Sequence, residues 1–124
     1  MKKPNFNYDK MSDTLSILFA ENNNATGIEL NENVLLRVDL KKRCAVGLDL
    51  FNYSILSEQT ELGFRSLPLT ELNELPKEIR TTVIKILLSK PVSEVLLLSA
   101  FTGSKVENMP ITSLSAKVLQ KQAA

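Results

Sequence analysis

The sequence predicts an α+β fold: an antiparallel β-meander of about five to six strands with one main amphipathic helix packed on its apolar face. Three observations predict it. From Val34 to Leu40, the residues Val34, Leu36, Val38 and Leu40 alternate with Leu35, Arg37 and Asp39, so one side is apolar and the other mostly polar. That is the period of a strand in a sheet with one wet face. The strand-like segments before Asn52 are joined by short polar turns, which favour antiparallel neighbours. Further on, Ile79, Val83, Ile86 and Leu87 recur at the spacing of a single helical stripe.

The first element is a hairpin. Phe6 and Tyr8 share one strand face, and Leu15, Ile17 and Phe19 share another. Asp9 to Ser12 turns the chain between them, because Asp and Ser bond their own backbone readily. Glu21 to Ala25 is an Asn-rich loop. Thr26 to Leu30 is a short strand with Ile28 and Leu30 on one side, and Asn31-Glu32-Asn33 is a turn. After the Val34–Leu40 strand, Lys41-Lys42-Arg43, the one basic run inside the domain, reverses the chain and reads as a solvated hairpin loop in preference to a phosphate site. Ala45 to Phe51 then places Val46, Leu48 and Leu50 on one face and Gly47 and Asp49 on the other.

The pattern changes after Phe51. Asn52 to Ser66 carries Tyr53, Ile55, Leu56, Leu62 and Phe64 without a period, as expected of an irregular connection packed on the sheet. Thr70 stands where an N-cap would precede Glu71 to Leu75. Pro76 ends that turn and can open the next helix, which runs to about Leu88, with Pro91 as the stop. Val92 to Phe101 fits either helix or strand. The strand reading is favoured, with apolar residues on both faces, as in a central strand or a subunit contact. Ile111 to Leu119 is weakly helical. The whole reads as one domain, 1–124, in which 5–51 form the meander, 52–101 the connection, helix and last strand, and 102–124 a tail. The expected core is Phe6, Leu15, Ile17, Phe19, Ile28, Val34, Leu36, Val38, Val46, Leu48, Leu50, Ile79, Val83, Ile86 and Leu87.

Composition narrows the chemistry. The chain has 124 residues and a net charge of +1, without the basic excess that displaces counterions from phosphates, so no nucleic-acid partner is expected. There is no histidine, which excludes a Ser-His-Asp triad, a Cys-His pair and any His-ligated zinc or haem. Cys44 is the single cysteine, so one chain holds neither an internal disulfide nor a Cys-rich metal site. The four glycines lie far apart and form no phosphate-wrapping loop. The N-terminal residues lead into no apolar segment of a signal peptide, and no apolar run approaches the roughly 20 residues of a membrane span, so a cytoplasmic protein is expected. No cofactor is expected.

The remaining chemistry uses carboxylates, Tyr, Lys, Ser or the thiol. Asp9 and Asp13 bracket one tight loop and could approach closely enough to hold a hard cation such as Ca²⁺ or Mg²⁺. Such a site needs more oxygens than two acids supply, so an Asx turn at Asp9 and a flanking role for Asp13 are favoured. Tyr8 can act as a general acid or as a half-buried hydrogen-bond donor, and the second is the commoner use. Asp39 and Asp49 lie on neighbouring strands and could pair as glycosidase carboxylates do. Solvated acids balanced by Arg37 and Lys41 are the simpler reading. Cys44, beside Arg43, reads as a small apolar filler. Ser54, Ser57 and Ser66 have no base to activate them.

Tyr8-Asp9 followed by Asp13-Thr14-Leu15-Ser16-Ile17 resembles the YD-x3-D-x-L-x-I signature of a small bacterial family called domain of unknown function 2283. Val34 to Asp39 and Val46-Gly47-Leu48-Asp49-Leu50 stand where that family has its next two strands, so the resemblance spans residues 5–51. Thr14 replaces the family's usual Ala and Ser16 a usual Tyr, and Asn52 onward has no counterpart in its short members. The resemblance implies a compact β-meander and no activity. It marks Tyr8, Asp9, Asp13, Leu15, Ile17, Asp39 and Gly47 as motif residues with structural roles.

The function expected is a non-enzymatic protein-interaction or structural module. An antitoxin-like partner of a small protein and a carboxylate-based metal-binding protein or enzyme using Asp9 and Asp13 are the alternatives. If Val95 and Leu97 face solvent, they form a patch that needs covering. A homodimer through Val92–Phe101, or a complex with another protein, is expected on that ground.

Overall fold

A computed structural model describes residues 4–21, 24–60, 63–64, 67–102 and 108–114. Five strands form the main sheet: β1 (Asn5–Asp9), β2 (Thr14–Leu18), β3 (Thr26–Asn31), β4 (Val34–Asp39) and β5 (Cys44–Phe51). All neighbours are antiparallel, as expected, so the α+β class holds. Their order is β1-β2-β5-β4-β3, which corrects the simple meander. The β1–β2 hairpin and the β3–β4–β5 meander are each sequential, but β3 starts at the far edge and β5 returns to pair with β2. The reason lies in β5, whose residues from Ala45 to Leu50 are all buried. A sequential order would leave this strand at an edge, whereas the observed order gives it a hydrogen-bonded neighbour on each side.

Alternation places most of the core correctly. Leu15, Ile17, Ile28, Val34, Leu36, Val38, Leu48 and Leu50 are buried in one apolar cluster, and Phe6, Phe19 and Ile79 pack against it partly covered. Val46 differs. It is buried but lies outside that cluster, while its neighbour Ala45 belongs to it. The cause is a register shift: Arg37 pairs with Gly47, but Val38 pairs with Ala45, so Val46 is an extra residue in a bulge. Its carbonyl accepts the N–H groups of Phe19 and Ala20 at 2.8 and 3.2 Å, which ties the end of β2 to β5.

The second half supplies more structure than the sequence predicts. Asn52 to Ser66, expected to be irregular, contains the one-turn helix α1 (Tyr53–Leu56) and a small ladder of β6 (Gln59–Thr60) with β7 (Gly63–Phe64). A second sheet has the order β8-β10-β9, from β8 (Leu67–Pro68), β9 (Leu96–Thr102) and β10 (Asn108–Leu114). The helical reading of Ile111 to Leu119 is therefore corrected over 111–114, where backbone pairing with β9 and β8 decides the conformation; 115–119 lie outside the described residues. Leu67, Leu69, Leu72, Val92, Val95, Leu96 and Leu114 join the same core.

The helix α2 (Lys77–Leu87) forms where its stripe predicts, with Pro76 at its N-cap, Glu78 in the first turn and Lys85 in the last. Val83, Ile86 and Leu87 are its buried residues and belong to the sheet's apolar cluster, each contributing about 1.5–3 kcal/mol. Thr70 caps no helix: the turn of 3-10 helix that follows is Leu72–Glu74, with Glu71 at its N-cap and no side-chain capping bond. Val92 to Phe101 is both of its alternatives in succession, a 3-10 turn over Val92–Glu94 and then β9. Val92, Val95 and Leu96 are buried within the chain, so Val95 offers no exposed surface for a dimer. The side chains of 97–101 lie outside the described residues. Among the described residues no helix is long and apolar enough to cross a membrane.

Candidate functional site

The family-like motif builds a closed polar knot at the β1–β2 turn. Asp9 pairs with Thr14 across the hairpin. Its Oδ1 accepts the Met11 N–H at 3.1 Å, and its Oδ2 accepts the Ser12 hydroxyl at 2.8 Å, which makes the expected Asx turn. Asp13 then takes a left-handed backbone, φ 54°, a conformation that Asp tolerates better than most residues. This turns its carboxylate back toward the fold. Oδ1 accepts the Tyr8 hydroxyl at 2.6 Å and the Ser54 N–H at 2.9 Å, and Oδ2 accepts the Ser54 hydroxyl at 2.6 Å. The Asp13 carbonyl accepts the Tyr53 N–H at 3.0 Å. The Tyr8 and Tyr53 rings meet with centroids 5.6 Å apart and an interplanar angle of 57°.

Ionisation follows from these bonds. Hydrogen bonds from Ser54, and then from Tyr8, hold the Asp13 carboxyl below its ordinary value. The same bond to Asp13 raises the Tyr8 phenol, because the neutral form is the donor. Tyr8 is thus a hydrogen-bond donor, and Asp9 and Asp13 each face their own donors. Burial raises the Tyr53 phenol, whose hydroxyl is enclosed without a hydrogen-bond partner. Among the described residues, no group of three or more Cys, Asp or Glu is placed to hold a metal ion.

Asp39 and Asp49 do not meet as a carboxylate pair. Asp39 pairs with Cys44 across β4–β5, and Asp49 pairs with Leu35. The four-residue offset along β4, from Asp39 to Leu35, separates them by roughly 13 Å at strand rise, beyond the range of inverting or retaining glycosidase acids. Asp39 Oδ1 accepts the Lys41 and Lys42 N–H groups at 3.0 and 3.1 Å, a second Asx turn. Both oxygens of Asp49 accept from Arg37 Nη2 at 2.6 Å. The Arg37 side chain passes over Gly47, where a Cβ would stand 3.9 Å from Arg37 Nε and only 3.0 Å from the Ile17 carbonyl oxygen. Gly47 therefore permits close approach of β2 to β5. Leu15 and Ile17 are core residues with no exposed chemistry. Cys44 is half-buried at the start of β5.

Ser54 is the residue that sequence reasoning misses. It stands 41 positions from Asp13 in a segment read as irregular, and no local pattern links the two. The left-handed Asn52, φ 58°, carries the chain from β5 into α1 and so brings Ser54 back to the hairpin. No protein-family model, curated protein or solved structure matches the chain.

Proposed function

We propose that the chain is a non-enzymatic protein-interaction module that presents the tip of the β1–β2 hairpin together with α1. The observation that carries this reading is Met11, 98% exposed at the tip of a loop fixed on either side by Asp9 and Asp13. A large, adaptable apolar side chain on a built turn suits a partner's pocket. Ile55 is 50% exposed and directly follows Ser54, which the Asp13 carboxylate holds at the same hairpin. The motif carboxylates support the reading from the other side, since each is engaged in a turn, a staple or an ion pair.

The resemblance of residues 5–51 to the small bacterial family is part of the same proposal, with its motif serving the scaffold. So is a helix α2 lying across the apolar face of the sheet, supported by the shared cluster of Val83, Ile86 and Leu87 with the strand residues. A cytoplasmic site of action is supported by the single free thiol. The test is affinity capture from the source's lysate with the wild-type chain and with a Met11→Asp/Ile55→Asp variant. A stoichiometric partner held by the wild type and lost by the variant is expected. Equal capture by both, or capture of none, contradicts the reading.

A further inference from the structure

A cleft of about 220 Å³ opens between the β4–β5 turn and the C-terminal half of α2. Three exposed cations line it: Arg43 from the turn, Lys85 from the last turn of the helix, and Lys90 from the segment beyond. Ala45, Ile86 and Pro91 supply an apolar part of its wall. The chain carries a net charge of only +1, so this concentration of positive charge is local. Lys41 and Lys42 precede Arg43 in the same turn and add to the field. Glu94 meets Lys90 at 3.6 Å, but both side chains are well exposed, and such a pair is weak in water.

Arg43 is the informative residue. Its φ of 54° is left-handed, a backbone state that favours Gly, Asn or Asp over a long side chain. The β4–β5 turn itself requires a left-handed residue here, as the β1–β2 turn does at Asp13, and the chain fills the position with a long cation where Gly or Asn would cost less. Lys85 and Lys90 also complement the negative end of the α2 dipole, which either can do alone. Arg43 contributes from the opposite wall and has no such role.

We propose that this cleft binds a small oxyanion of the phosphate class, a mono- or diphosphate group with little attached to it. A guanidinium offers a planar fork of donors that matches phosphate oxygens, and the two ammonium groups add point charges. The volume is below the roughly 300–1,000 Å³ of sites for larger organic ligands, which limits the occupant to a compact group. The site is independent of the hairpin-tip reading, because it lies at the other end of the sheet.

The probe is sodium pyrophosphate, titrated calorimetrically at neutral pH with ionic strength held constant by sodium chloride. The wild type binds one equivalent. Arg43→Asn, which suits the left-handed backbone, binds roughly tenfold more weakly or worse, while its ligand-free form melts at or above the wild type. Absence of binding by the wild type at about 10 mM, or undiminished binding by Arg43→Asn, overturns the proposal. Should Arg43→Asn fail to fold, Lys85→Gln gives the same reading: weakened binding supports the site and undiminished binding overturns it.

Discussion

The β1–β2 and β4–β5 hairpins share one loop plan and put it to different uses. In each, an Asp pairs with the residue five positions on, Asp9 with Thr14 and Asp39 with Cys44. In each, that Asp accepts the N–H two positions on, from Met11 or Lys41. In each, the fourth and last loop residue is left-handed with φ 54°. The antiparallel register of β2 on β5, Thr14 with Phe51 and Leu18 with Gly47, sends the two loops to opposite ends of the sheet. What differs is the left-handed residue. Asp13 points its carboxylate into three hydrogen bonds that fasten α1 and Tyr8, whereas Arg43 leaves its cation exposed in a cleft. One backbone geometry therefore serves as a staple at one end and as a display at the other, and side-chain chemistry at one position decides which.

Substitutions at these loops separate the two uses. Asp13→Ala is expected to cause the largest loss. It removes the acceptor of Tyr8 and Ser54 and leaves a Cβ residue in a left-handed state, so the thermal midpoint falls clearly. The staple also has a pH signature. The Asp13 carboxyl is held below its unfolded value, so its contribution is present above that value, near 3.8, and is lost as pH falls through the folded value. The Tyr8 phenol is raised, so its contribution is present below pH 10.0 and is lost as pH rises through the folded value. Asp13→Asn should lose the acid-side part, and Tyr8→Phe the alkaline-side part, of the wild-type dependence of midpoint on pH.

The Asx acceptors come next in size. Asp39 is only 5% exposed and takes two backbone N–H groups, so Asp39→Ala should cost about 1–2 kcal/mol in denaturant unfolding. Asp9 is exposed, and Asp9→Ala should cost about 0.5–1 kcal/mol. The smallest response expected is to millimolar Ca²⁺ or Mg²⁺. Asp9 and Asp13 already face protein donors, so the melting midpoint should not move, and a clear rise would show that the loop opens to bind a cation.

The sequence carries the strands and most of the core because alternation is local: Val34, Leu36 and Val38 announce their own face. It does not carry the strand order. That order depends on which strand must be covered on both sides, and β5 hides the requirement by alternating Leu48 and Leu50 with Gly47 and Asp49. Gly47 and Asp49 look like a wet face until Arg37 is seen folded over one to reach the other. The Val46 bulge is equally silent, since the pattern continues unbroken through it. At the candidate site, Tyr8, Asp9 and Asp13 are legible as a turn. Their partner Ser54 is not, because it arrives through tertiary structure, 41 residues away. The duplicated loop plan is faint in sequence for a related reason: only Asp9 and Asp39 match, and the left-handed position holds opposite charges.

A matched pair of glycine variants, Asp13→Gly and Arg43→Gly, compared by thermal melting under one set of conditions, bears hardest on this division of roles. Both relieve the same left-handed backbone. Arg43→Gly should raise stability by up to about 1 kcal/mol, because Arg43 makes no fastening side-chain bond among the described residues. Asp13→Gly should lower it, because the lost acceptor outweighs the relief. Shifts of the same sign in both variants would contradict the assignment of one loop as staple and the other as display.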